Sequence, residues 1–586
     1  MGKKLLKYVA DFETTTQEED CRVWAAGIYS MENEEFYLGN DIEFFLNFAN
    51  TMGNAVFYFH NLKFDGSFII DWLFRHNFKH TINRKKLNPG EFNTLISDMD
   101  QFYSIEISFR EGQKTTIYDS LKIIPFKVAV IAKSFGLEVE KGEIDYSYPR
   151  PIGWEITKEE QSYIYRDCKI VSDALKVLFS QNLTRITQGS NALYDFKQTL
   201  PRKFEKIFPP PKYDKDIRQA YKGGFTYCNP LYQGKNIKEG IVLDKNSMYP
   251  SVMRFEKLPF GEGIFYEGKY MQDDLYPLYI QMFVANFELK KNHLPTLQIK
   301  GGRFGFLPTE YVTSSNGDEI SLCLTSVDLE LFLEHYDVLS IEYISGWKFS
   351  AKVGLFDEYI DKWYKVKEES TRTGNKGMRT LAKLMLNALY GKFATTPECQ
   401  SKIPYFDEES NLVKYKLGEI EERKPLYLPV AAFITAYARA DVIRNAQKNY
   451  KRFIYADTDS LHLIGEEMPQ GIDIDDYRLG TWKVESHFKR ARFLRAKSYI
   501  EYIKEPLPHF TTNPKPKVKY HVSHETFKER LYYAPMKVTC AGMPSSCHKY
   551  VTWENFVPGS EFQGKLLASV VAGGTVLKET TFTIKG

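Results

Sequence analysis

The sequence predicts a multidomain chain with α/β and α+β parts, and three observations carry that expectation. At 586 residues the chain is long enough for several domains with ample core. Three short apolar runs end in a carboxylate: Tyr8-Val-Ala-Asp11, Ile241-Val-Leu-Asp244 and Phe453-Ile-Tyr-Ala-Asp457. Such runs read as strands. Stretches with helical periodicity lie between them, at 163–175, 355–367 and 376–394.

Composition narrows the class only slightly. Aromatics reach 15%, with 39 Tyr and 42 Phe. Their faces can receive unstacked bases, but they also fill ordinary cores. The formal net charge is only +3, so any polyanion site must be a local stripe. The seven cysteines form no Cys-x-x-Cys pair, so neither a zinc site nor a disulfide framework is indicated. A reducing cytosol suits that pattern. Lys7 and Asp11 cut short the Leu5-Leu6 run, so no signal peptide is read. The longest apolar stretch, 426–438, contains Pro429 and is too short to span a bilayer. No membrane partner is expected.

In the first segment, Asp11 and Glu13 share one face of a strand and Phe12 takes the other. A second strand, Val56–His60, leads into Asn61-Leu-Lys-Phe-Asp65, read as a loop. Tyr163 and Asp167 are i, i+4 neighbours on a helix. Four carboxylates (Asp11, Glu13, Asp65, Asp167) in these contexts suit a two-metal site, with Tyr163 able to orient a water. Read singly, Asp65 is more simply a helix N-cap and Tyr163/Asp167 a surface pair. Together, in this order, they resemble the exonuclease motifs of proofreading DNA polymerases, whose 3′–5′ exonuclease has an RNase H-like α/β fold. The resemblance implies metal ligation by the four carboxylates and water positioning by Tyr163. Lys141, in Lys-Gly-Glu-Ile-Asp-Tyr, matches a lysine supporting that site in the protein-primed subgroup. His60, Asn61, Phe64 and Phe68 fall where that subgroup holds a frayed primer end. For at least one of the two phenylalanines, a core role is the plainer reading.

Residues 189–220 are polar and basic, and Pro209-Pro-Pro-Lys212 reads as a stiff spacer at a domain boundary. In Tyr221-Lys-Gly-Gly224 the paired glycines permit positive φ and close backbone approach. That suits a loop tracking a phosphodiester chain, or a plain turn. The segment resembles the Tyr-x-Gly-Gly element by which family B polymerases pass DNA between synthesis and editing, making Tyr221, Gly223 and Gly224 DNA-binding candidates. Asp244 ends a strand beside the amides of Asn246-Ser-Met-Tyr-Pro250, where a carboxylate can bind metal while amides bind phosphate. This resembles the family motif Asp-x-x-Ser-Leu-Tyr-Pro, with Met248 for Leu, a volume-conserving change. Tyr249 becomes the candidate sugar gate, or else a core tyrosine.

On 376–394, Lys376, Arg379, Lys383, Asn387 and Tyr390 fall in a stripe roughly 80° wide, opposite Leu381, Leu384, Met385 and Ala388. A triphosphate needs cations and a base needs a flat ring. Lys383-Leu-Met-Leu-Asn-Ala-Leu-Tyr-Gly391 resembles the family's Lys-x-x-x-Asn-Ser-x-Tyr-Gly, with Ala388 for Ser. Arg379, Lys383, Asn387 and Tyr390 are thus nucleotide-binding candidates, with Tyr249 and Tyr390 bracketing the nucleotide. Tyr455-Ala-Asp-Thr-Asp-Ser460 reads as an acidic turn between two strands. Asp457 and Asp459, about 4 Å apart on one side of it, would repel by roughly 4 kcal/mol at an effective dielectric near 20. Water must screen them or a divalent cation must bind, and oxygen-only ligands suit magnesium. Lys489–Tyr499 alternates cations with apolar residues, as in a strand pair touching a phosphate backbone. Its Lys497-x-Tyr499 resembles the Lys-x-Tyr element that grips the primer terminus.

The resemblance spans essentially the whole chain, which is identified as a member of the protein-primed family B DNA polymerases of the phi-29 type from small tailed bacteriophages. It implies an exonuclease domain at 1–188 and a right-hand polymerase domain. In the latter, the palm is 189–255 and 428–526, the fingers 355–394 and the thumb 527–586. Terminal-protein regions are implied at 256–354 and 395–427. Catalysis falls to Asp244, Asp457 and Asp459, with two Mg²⁺ ions per active site (Mn²⁺ as substitute) and Asp244 and Asp457 as ligands. The implied partners are primer-template and single-stranded DNA, deoxynucleoside triphosphates and a terminal protein. A monomer in the cytoplasm of the infected bacterial host is expected. A DNA-primed polymerase, a stand-alone nuclease using only 1–188, and a non-catalytic DNA-binding protein are the alternatives.

Overall fold

Two eight-stranded sheets, the first with helices packed on it, position the two carboxylate sets. The computed structural model describes residues 5–83, 86–298, 311–504, 520–521 and 536–585. In the N-terminal sheet, Leu6–Thr14 lies between Val23–Ser30, antiparallel, and Ala55–Phe59, parallel. Val23–Ser30 is buried at every position, as a strand covered on both faces is. Helix Lys158–Phe179 packs on this sheet. It begins five residues before Tyr163 because Thr157 and Glu160 form a capping box, each satisfying the other's backbone N–H.

The run 209–212 does link two short helices, but most of residues 189–220 is helical. The segment forms helix Gln188–Thr199 and the short helices Phe204–Ile207 and Asp214–Ile217. Asn191, Ala192, Asp195 and Phe196 make the buried stripe of the first. Asp195 accepts 2.7 Å bonds from Trp363 Nε1 and Lys362 Nζ, and Gln188 Nε2 donates to the Leu384 carbonyl. The polar residues that suggested a linker are therefore the joint to the helical hairpin Asp357–Arg372 and Lys376–Phe393.

In the central sheet, strand Ser460–Ile464 lies between Gly240–Lys245 and Phe453–Asp457, and Trp482–Arg495 flanks the former. Strand Met536–Cys540, expected in the thumb, pairs with Ser498–Ile503 and so extends this sheet. The expected boundary at 526/527 lies outside the described residues. Helix Leu428–Lys448 is apolar over its first half and buried along most of its length. Its Arg439 clamps Asp328 at 2.7 Å and donates to the Lys222 and Gly223 carbonyls, anchoring the Tyr-Lys-Gly-Gly loop.

Two hairpins reach from the C-terminal part to the N-terminal domain. Arg75 donates to Asn411 at the tip of Glu398–Asp407 and Leu412–Glu422. Gly574, in the hairpin Glu561–Val571 and Gly574–Thr583, abuts the Phe68 ring. The turn of that second hairpin falls at 572–573.

Candidate active sites

The first carboxylate set lines one cavity of about 440 Å³. Asp11 and Glu13 come from the strand, and Tyr163 and Asp167 from the long helix. Asp65 sits in the first turn of helix Leu62–Arg75, not in a loop. It is not the N-cap either: Asn61 takes that place at φ 81°, its amide bonded to Asp119 at 3.0 Å. Lys141 Nζ lies 2.5 Å from Asp167 Oδ2, while Asp167 Oδ1 has no hydrogen-bond partner.

Desolvation, then the adjacent Asp167 carboxylate, pushes Asp11 up to about 7. Desolvation and Asp11 raise Glu13 and Asp65 well above the usual carboxylate range. Carboxylates that resist ionising beside one another, with an oxygen left over, fit a hard divalent cation. Among the described residues no three His, Cys, Asp or Glu side chains cage an ion by themselves.

The sign of the pH effect follows. A carboxyl whose folded pKa is raised binds its proton more tightly when folded, so stability is lost as pH rises from the unfolded value, about 4, toward 7. A cation replaces the proton once the cluster ionises. Mg²⁺ should therefore raise the unfolding temperature more at about pH 8 than at about pH 5.5. Equal increments in thermal scans would contradict the cluster as a cation site.

Two features of this cavity escape sequence reading. Tyr146 Oη lies 3.0 Å from Tyr163 Oη, although Tyr146 closes the Lys-Gly-Glu-Ile-Asp-Tyr segment already singled out. Leu566 and Leu577 line it from a hairpin remote in sequence. Two expected DNA contacts need correction. His60 donates Nε2–H to the Phe126 carbonyl at 2.7 Å, and Nδ1 faces the Ser120 hydroxyl at 2.9 Å. Burial lowers its pKa, so the neutral ring holds the loop and offers DNA no free nitrogen. Phe68 is 1% exposed and belongs to the core, whereas Phe64 is half-buried on the cavity wall and Asn61 is exposed there.

In the second set, Asp244 and Asp457 are both register partners of Ser460, on the two strands flanking it. Two strand spacings put their Cα atoms roughly 10 Å apart, side chains on one face. Asp459 follows Thr458, held at φ 63° in the turn. Desolvation, then Asp244, pushes Asp459 up to about 6. Lys483 Nζ lies 2.6 Å from Asp244, and Lys497 Nζ 2.5 Å from Asp457. A cavity of about 850 Å³ joins Asp244, Asp459 and Tyr249 to Arg379, Lys383 and Asn387, which are exposed on the helix face. Lys367, which the sequence reading passes over, lines it too, 3.1 Å from Ser247 Oγ. Burial, with Lys483 and Arg379 nearby, holds its ammonium below the usual lysine range.

Tyr249 and Tyr390 do not bracket a space. Their rings stack at 4.0 Å and 24°, so no nucleotide fits between them and they form one two-ring wall. Of the paired glycines, neither lies in the left-handed region. A Cβ on Gly224 would fall 2.7 Å from Thr458 Cγ2, while Gly223 has open space. The close approach is to the acidic turn, beside a half-buried Tyr221. Tyr499 is 5% exposed, packed on Tyr455 and Phe493, and is core, not a primer contact. Two cations of the alternating run are also committed: Arg490 stacks on Trp553 at 4.3 Å and Arg492 donates to the Trp553 carbonyl at 2.8 Å. Exposed Lys497 is left facing the site.

Residues 50–476 match the family model of DNA polymerase type B, organellar and viral. The DNA polymerase of Bacillus phage phi29 is 45% identical over 593 aligned residues, 99% of each chain. That of Streptococcus phage Cp-1 is 34% identical over 99% of this chain and 98% of the other. The solved structure of phi29 DNA polymerase with primer-template DNA and incoming nucleotide matches at TM-score 0.89 and 44% identity, covering 99% of this chain and all of that one. Its complex with single-stranded DNA matches at 0.90 and 44% identity, over the same shares. The multidomain α/β chain built around these two sites therefore belongs to the family B DNA polymerases of the phi29 type and is a DNA-directed DNA polymerase.

Proposed function

We propose that this polymerase joins template-directed synthesis at the Asp244/Asp457 site to 3′–5′ excision at the Asp11/Glu13/Asp65/Asp167 site, starts on a terminal protein and displaces the non-template strand. The observation that supports it is the presence of two separate carboxylate sets, one lining its own cavity with all four members and the other reaching a second cavity through Asp244 and Asp459. Mg²⁺, or Mn²⁺ in its place, supplies charge neutralisation and an acidified hydroxyl or water when bound at either site.

In synthesis, Asp244 and Asp457 hold the cations and Asp459 supports them. Lys383, Arg379 and Lys367 neutralise charge developing on the triphosphate. The Tyr249–Tyr390 wall lies where a 2′-hydroxyl would clash, and Lys497 meets the primer terminus. A serine, threonine or tyrosine hydroxyl of the terminal protein replaces the primer hydroxyl at initiation. In excision, Tyr163, tethered to Tyr146, orients the water, Lys141 balances Asp167, and Asn61 and Phe64 hold the frayed end. The hairpin Glu398–Asp407 and Leu412–Glu422 parts the duplex; the contacts Lys402–Asp100 and Arg75–Asn411, which tie it to the N-terminal domain, support that reading. Among the described residues no helix is long and apolar enough to cross a membrane. The monomer works in the cytoplasm of the infected bacterium.

Extension of a primed single-stranded circle with Mg²⁺ and dNTPs, and no helicase, tests this reading. Products longer than one circle are expected. Arrest after one circuit would contradict strand displacement, and no extension would contradict synthesis.

A further inference from the structure

The residue opposite Asp244 is set by an irregularity in the sheet. Gly240–Lys245 pairs with Trp482–Arg495 in register until Val242↔Ser486, after which Leu243 faces Val484. Glu485 is the extra residue of a β-bulge, a device that re-aims side chains next to active sites. Without it Asp244 would face Val484; with it, Asp244 faces Lys483. Directly opposed residues have Cβ atoms about 5 Å apart on one face. The ammonium spans the remaining gap, 2.6 Å from Asp244 Oδ1 and 3.2 Å from Asn246 Oδ1.

We propose that Lys483 is a positioning residue that changes partner during nucleotide addition: it balances Asp244 before a divalent cation arrives and passes to the triphosphate when the cation takes its place. The proposal rests on the reading of Asp244 as a metal ligand.

Three observations carry it. Lys483 sits on Asp244 Oδ1, one of the two oxygens through which that carboxylate would hold a cation, so the two compete. Both side chains are about one-third exposed, at 33% and 28%. An ion pair so exposed is worth a factor of about five at most, weak enough for a divalent cation to displace. Finally, Lys483 lines the same cavity as Lys367, Arg379 and Lys383. Carboxylates line this cavity as well (Glu368, Asp459 and Asp476), so an ammonium leaving Asp244 goes to the nucleotide because a triphosphate, a multiply charged acceptor, outcompetes single carboxylates for it. Each charge then keeps a partner throughout: Asp244 exchanges ammonium for metal as Lys483 exchanges carboxylate for phosphate.

The test uses the full chain carrying Asp11→Ala, which removes the other cation site, bound to a primer-template with a dideoxy-terminated primer. Mn²⁺ binding without nucleotide is measured by the paramagnetic resonance of free Mn²⁺, and dATP binding by titration with Mn²⁺ present. Lys483→Gln should tighten Mn²⁺ up to about fivefold and weaken dATP severalfold. Lys483→Arg, which keeps a cation, should stay near the parent in both. Misfolding cannot tighten a metal site, so the first effect has no structural mimic. Unchanged or weaker Mn²⁺ binding in Lys483→Gln, unchanged dATP binding, or an arginine variant that behaves like glutamine, would overturn the proposal. Asp244→Ala is the control for the reading beneath it. If that variant still binds the same Mn²⁺, Asp244 is not a ligand and the failure lies there, not with Lys483.

Discussion

Replacing Asp457 by alanine should abolish nucleotide addition, by about 1,000-fold or more, and leave degradation of single-stranded DNA intact. The carboxylate leaves the end of strand Phe453–Asp457, beside Ser460, and takes one side of the cation site with it. Asp244, one strand beyond Ser460, stays in place but alone. Lys497 loses its partner, yet it is 52% exposed and is resolvated, so little stability is at stake. The other site lies on a different sheet and shares none of these groups. Primer extension and decay of an end-labelled oligonucleotide, run on the same preparation, read both activities. Surviving addition would mean that Asp457 holds no essential cation.

The converse holds for Asp11→Ala, which should cut degradation by about 1,000-fold and leave primer extension near the parent rate. Here the energetics favour the variant's fold. Asp11 is desolvated beside Asp167, which pushes its pKa up to about 7. Removing it relieves repulsion on Glu13 and Asp65, for both of which it is a cause of the raised pKa. The protein should be no less stable, so lost degradation cannot be put down to unfolding. Mismatched primer ends should also persist in the products. Undiminished degradation would remove the first carboxylate set from the chemistry.

What was legible in the sequence shares one property: the information was local. Strand-end carboxylates, the helix carrying Arg379 and Lys383, and the acidic turn at 457–459 follow from periods of 2 and 3.6 and from residue type. Features set by distant pairing were not legible. That Asp244 and Asp457 flank Ser460 depends on three strands meeting, and that Lys483 faces Asp244 depends on the Glu485 bulge. Tyr249 and Tyr390 were placed at the nucleotide, but their mutual stacking needs two helices to converge. The misplaced residues fail for the same reason. Phe68 and Tyr499 are aromatic in suitable motifs, but only the packed structure shows one under Gly574 and the other between Tyr455 and Phe493. The helix Gln188–Thr199 does not stand out in a segment read as polar and basic, because its buried stripe includes the polar Asn191 and Asp195, and the partners of Asp195 lie far along the chain.

The claim beneath all of this is that far-separated acidic side chains assemble into two cation sites, one per activity. Anomalous scattering from Mn²⁺ in crystals of the protein tests it most directly, with primer-template and a non-extendable nucleotide pair in one form and single-stranded DNA in another. The account predicts peaks beside Asp244 and Asp457 in the first and among Asp11, Glu13, Asp65 and Asp167 in the second. Manganese at only one cluster in both forms, or away from both, would contradict it.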